Sequence, residues 1–109
     1  PQNVKEYTRR ITTCGRSQHW GCALLLLDDM RKEGLVPNSV HFNAAVSACE
    51  KGKQWQQAQR LLDRMRREGL SPDVFSFSGG ISALGVCGQW QRALSLFNEM
   101  GGEGLSPDV

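Results

Sequence analysis

The chain has 109 residues, 39% of them hydrophobic, and 13 Lys and Arg against 11 Asp and Glu for a net charge of +2. Such a mixture is too apolar for a disordered tail. Its apolar runs, "ALLLL" among them, are too short to span a membrane, and no basic stretch followed by an apolar one opens the chain, so any transit peptide would lie outside it. The composition predicts an ordered, soluble module, and the first and last residues read as cuts from a longer array.

Three octets, "KEGLVPNS", "REGLSPDV" and "GEGLSPDV", begin at Lys32, Arg67 and Gly102, which are 35 residues apart. The same offset aligns Trp20, Trp55 and Trp90, then Ala23, Ala58 and Ala93, then Met30, Met65 and Met100. A period of this length signals stacked supersecondary units, none able to bury its apolar face alone. Three units follow: residues 4–38, 39–73 and 74–108.

In the first unit, Lys5 and Arg10 stand where the second has Val40 and Ala45, so its first helix is degenerate. In the second, "FNAAVSACEKG" is rich in helix formers and small residues and predicts a helix over roughly residues 42–51, open to close approach by a neighbour. Trp55, Ala58, Leu61, Leu62 and Met65 then form one apolar stripe at helical spacing, which predicts a second helix over roughly 54–68. Gly69 supplies a left-handed helix end and Pro72 forbids continuation, so the octet is a helix stop. In the third unit Gly79 and Gly80 replace Ala44 and Ala45, each costing about 0.5–1 kcal/mol in a helix interior, and its first helix is expected to be the least stable. The predicted architecture is all-α: an α-solenoid of stacked antiparallel helical hairpins, about six helices in a right-handed superhelix segment.

Cys14, Cys22, Cys49 and Cys87 form no CxxC pair and have no His at ligand spacing, which predicts free thiols and no zinc. His19 and His41 have no carboxylate or nucleophile at useful spacing, so no catalytic centre, metal or cofactor is expected. The tryptophans belong to the apolar stripe and are expected in the core. The cluster "RLLDRMRRE" reads as a solvated outer face with i,i+4 pairs. Basic character is uneven: the first two units each hold six Lys or Arg against four acids, the third has Arg92 against Glu99, Glu103 and Asp108.

A 35-residue hairpin carrying "VHFNAAVSAC", "QWQQAQRLLDRM" and "REGLSPDV" in that order resembles the pentatricopeptide repeat family. The tetratricopeptide repeat has a period of 34 and a W-x-x-L-G-x-x-Y opening that is missing here. The resemblance implies a single-stranded RNA partner, one nucleotide per repeat, with the first helix of each unit lining the concave face. It implies base-selecting pairs Thr8 with Asn38, Asn43 with Asp73, and Ser78 with Asp108. In the family a hydroxyl at the first position goes with purines and Asn with pyrimidines, while the end-of-unit Asp goes with keto bases and Asn with amino bases. The implied reading is 5′-A-U-G-3′. Val40 and Phe75 are the implied base-stacking residues, and Lys51 and Arg16 the implied phosphate contacts. The family also implies an organelle, chloroplast or mitochondrion, and roles in RNA processing, editing or stability. From the residues alone, Asn43 and Asp73 also read as an exposed residue and a turn or cap residue. The competing function is a protein- or peptide-binding scaffold of tetratricopeptide type, favoured by the weakly basic third unit; other protein partners are compatible with either, and a membrane or small-molecule substrate with neither.

Overall fold

The computed structural model describes residues 4–102. They form six helices of 13 residues each: α1 (Val4–Arg16), α2 (Trp20–Lys32), α3 (Ser39–Lys51), α4 (Trp55–Arg67), α5 (Val74–Val86) and α6 (Trp90–Gly102). Among the described residues there is no strand. The chain is an all-α solenoid of three helical hairpins.

The octet does more than stop a helix. At its Gly34 (φ 79°) and Gly69 (φ 80°) the backbone turns left-handed, and the Leu35 and Leu70 N–H groups close back on the Met30 and Met65 carbonyls at 2.8 and 2.9 Å. This pattern satisfies carbonyls that a helix end would leave without partners. Its seventh residue then starts the next helix: Asn38 and Asp73 adopt extended backbone and cap α3 and α5 with their side chains. Consequently α3 begins at Ser39, three residues before the start expected from the sequence, because the cap recruits Ser39, Val40 and His41 into the first turn.

Helix α3 is central, packing on α1 and α5 side by side, with α2 and α4 behind them. By contrast, no Cα of α2 comes within 8 Å of α4, nor any of α4 within 8 Å of α6, among the described residues. First helices crowd and second helices splay, so the stack curves with α1, α3 and α5 on its inner side. Small residues permit the crowding. A methyl group added at Gly15 would lie 2.7 Å from the Ala44 carbonyl oxygen. At Gly79 and Gly80 it would meet Val46 and Leu62 side chains at 2.7 and 2.8 Å. The two glycines predicted to weaken α5 therefore let it seat against its neighbours, and α5 is as long as the other helices.

The core runs through the stack: Ile11, Leu27, Met30, Phe42, Met65, Phe77 and Leu84 are fully buried. Trp20 and Trp55 pack partly buried against it, Trp20 lying over Gly52 of the following hairpin. Trp90 departs from the expected core role, being 66% exposed. Cys14 and Cys49 are buried and all four thiols are free. On the outer side the second helices are strutted by charge: Arg64 reaches Asp28 at 3.3 Å and Glu68 at 3.2 Å, Arg31 pairs with Glu68, and Arg66 reaches Glu99 at 2.5 Å. The arginine cluster thus bridges successive units as well as forming the expected i,i+4 pair.

Candidate nucleic-acid interface

Between α3 and α5 the inner face opens into a groove of about 500 Å³. Val40 and Phe75, each in the first turn of its helix, flank it and are 56% and 71% exposed. Two large apolar side chains left in water on facing helices make a slot for a flat apolar body. Asn43 and Ser47 of α3 and Ser78 of α5 give the groove polar walls, and Glu50 adds an acid to its lining.

The structure joins Asn43 to Asp73 directly. Asn43 Nδ2 donates to Asp73 Oδ1 at 3.3 Å and lies 3.5 Å from Oδ2, while the Ser76 hydroxyl donates to Asn43 Oδ1. Asp73 Oδ1 also accepts the Ser76 backbone N–H at 3.0 Å as the helix cap. Since a carboxylate only accepts, this fixes which end of the Asn43 amide faces which way. The Asn43 amide nitrogen thus faces the Asp73 carboxylate and its oxygen faces the Ser76 hydroxyl.

Thr8 and Asn38 are joined only through a third residue, His41. The ring accepts the Asn38 backbone N–H at Nδ1 (3.0 Å), and its Nε2 lies 2.7 Å from Thr8 Oγ1. Asn38 Oδ1 accepts the Val40 and His41 N–H groups at 3.0 and 3.3 Å. His41 and Ser76, equivalent in successive units, both close the capping box and both touch the residue read as a base selector one unit earlier. Sequence reasoning missed them; the available signal was their place three residues after the cap.

His41 is 1% exposed, and burial pushes its pKa below the ordinary 6.5. The unfolded chain therefore takes up this proton at higher pH than the folded one. The stability owed to neutral His41 is complete above pH 6.5 and is lost as pH falls from there towards the folded value. Between about pH 7 and pH 5 the melting temperature should fall more steeply for the natural chain than for His41→Ser, measured by circular dichroism. Equal slopes would refute the assignment.

Ser78 is exposed on the groove wall, while Asp108 lies outside the described residues. Arg16 is exposed in the last turn of α1. Lys51, at the same place in α3, donates to the Gly15 carbonyl at 2.9 Å, capping α1; an ammonium has two further donors to offer. Among the described residues no group of three His, Cys, Asp or Glu is placed to hold a metal ion, and no helix is long and apolar enough to cross a membrane.

Stacked hairpins with a small-residue inner layer and a capped, variable unit boundary define an α-solenoid repeat protein. Family models match along the chain: the pentatricopeptide repeat domain over residues 2–52, the PPR repeat family over 37–85 and the PPR repeat over 81–105. The chain belongs to the pentatricopeptide repeat family. No curated protein matches its sequence. Among solved structures it is similar to the pentatricopeptide repeat protein PPR10 in complex with an 18-nt psaJ RNA element, at a TM-score of 0.84 and 18% identity. A form of PPR10 with three cysteines replaced by serine, bound to the same element, matches equally. The match covers 98% of this chain and 16% of that one, so the chain spans about a sixth of PPR10, and at this identity the likeness carries the fold.

Proposed function

We propose that the chain binds single-stranded RNA sequence-selectively, one nucleotide to each of the units 4–38, 39–73 and 74–108, reading 5′-A-U-G-3′. The reading rests on one observation above all: the groove flanked by Val40 and Phe75 has the Asn43–Asp73 pair beside it. A base slid between Val40 and Phe75 would present its Watson–Crick edge to that pair. Asn43 offers an N–H donor and Asp73 offers acceptors, the complement of the keto oxygen and N3–H of uracil. Lys51 and Arg16 supply cations for the backbone, and Ser78 with Asp108 completes the third pair. The solved complexes of PPR10 with RNA support the same use of the fold. Stacking adds about 1–3 kcal/mol per base, so the three units alone bind weakly and act within a longer array in a chloroplast or mitochondrion, in RNA processing, editing or stability.

A peptide-binding scaffold is the competing reading, favoured by Glu50 in the groove wall and the acidic third unit. Titration of labelled oligonucleotides at increasing salt separates the two. RNA affinity should fall steeply with salt as counterions are released, and absence of binding to every RNA at low salt would overturn the proposal. Asn43→Ser should move one position of the preferred sequence from pyrimidine towards purine; an unmoved preference would remove Asn43 from the selecting pair.

A further inference from the structure

Resting on the RNA-binding reading, the geometry points to His41 as an additional specificity-determining residue of the first unit, a positioning residue that holds the Thr8 hydroxyl as a hydrogen-bond acceptor for the amino group of adenine.

The proton positions follow from the partners. A backbone N–H can only donate, so His41 Nδ1, 3.0 Å from the Asn38 nitrogen, must accept. In the neutral ring the proton is then on Nε2, and it is donated to Thr8 Oγ1 across 2.7 Å. Thr8 sends its own hydroxyl proton to the Val4 carbonyl, 2.8 Å away on the preceding turn. What remains on Thr8 is a lone pair. Asn38 complements it: its Oδ1 is occupied by the Val40 and His41 N–H groups, which leaves the amide N–H groups as donors. An acceptor at Thr8 and a donor at Asn38, bridged by the His41 ring, together match the N6 amino group and N1 of adenine. Guanine presents the opposite order, O6 as acceptor and N1–H as donor, and would set acceptor against acceptor and donor against donor.

The second unit supports the same logic. At the equivalent position the Ser76 hydroxyl donates to Asn43 Oδ1, so there too the residue three after the cap sets the polarity of the selecting side chain one unit back.

Two measurements on the 109-residue chain test this. Long-range ¹H–¹⁵N spectra at neutral pH should show His41 protonated at Nε2 and bare at Nδ1; the other tautomer overturns the inference. Fluorescence anisotropy at low salt should then compare oligonucleotides that differ only by A or G at the first position. His41→Ser keeps a capping side chain of the kind Ser76 provides but stops short of Thr8, which the far end of the imidazole reaches and whose side chain is shorter than the Asn43 that Ser76 meets. Thr8→Val removes the hydroxyl with little change of shape. Each should lower the A-over-G ratio about five- to tenfold, and the double variant no further. Unchanged ratios, or losses that simply add, overturn the inference while leaving RNA binding intact. No RNA binding by the natural chain overturns the RNA-binding reading and this inference with it. Should His41→Ser fail to fold, the tautomer and the Thr8→Val ratio decide: an Nδ1-protonated ring or an unchanged ratio overturns the inference, and the expected pair upholds it.

Discussion

Replacing Phe42 with alanine should lower the free energy of unfolding by about 3–5 kcal/mol, measured by urea titration followed by far-UV circular dichroism. Phe42 is fully buried in the first turn of α3, the helix that packs on α1, α2, α4 and α5. Its deletion opens a cavity where the units meet, and the Arg64 guanidinium, 5.6 Å from the ring centre, loses its platform. Since domains of this size are stable by only about 5–15 kcal/mol, this loss removes a large share of the total. Trp90→Ala is the control: a larger side chain at 66% exposure, whose loss should cost about 1 kcal/mol or less. If the two variants were equally stable, the inner helix layer would not be the seat of the core.

Asp73→Asn should carry the second large effect, a shift of about tenfold or more from uracil towards cytosine at the middle nucleotide, read by oligonucleotide competition. Asn remains a good N-cap, so α5 keeps its first turn. The chemistry at the groove changes: where the carboxylate could only accept from uracil N3–H, the amide can donate to cytosine N3. An unchanged preference with unchanged affinity would reduce Asp73 to its structural work as the cap of α5.

The repeat made most of this fold legible. Trp55 to Met65 gave α4 within one residue at each end, because an apolar stripe and a Gly-x-x-Pro stop are local signals. The first turn of α3 was not legible in the same way. Asn38 was read as the end of a unit, and its power to start a helix depends on hydrogen bonds that close only when His41 folds back onto it. The glycines of α5 show the other limit. Propensity marks Gly79 as a weakness, and only packing reveals that Val46 occupies the space a methyl group would need. At the interface the pairing of Asn43 with Asp73 follows from the family frame, and the place of His41 and Ser76 three residues after a cap marks their capping role, whereas their reach to Thr8 and Asn43 has no sequence signal: a histidine 33 residues from its threonine carries no periodic signature.

The contrast between the two sides of the stack has a mechanical consequence. Along the inner side, backbone rests on backbone at Gly15 and Ala44, contacts that neither compress nor stretch. Along the outer side, neighbouring units are tied by partly exposed ion pairs such as Arg64–Asp28 and Arg66–Glu99, of which each is worth at most about 1 kcal/mol and is weakened by salt. The molecule is thus a strip with a stiff spine and a soft rim. Its bending angle is cheap to change while the spacing of its inner helices is not, so an array of such units can tighten or relax its curvature and still keep a constant repeat along its inner side.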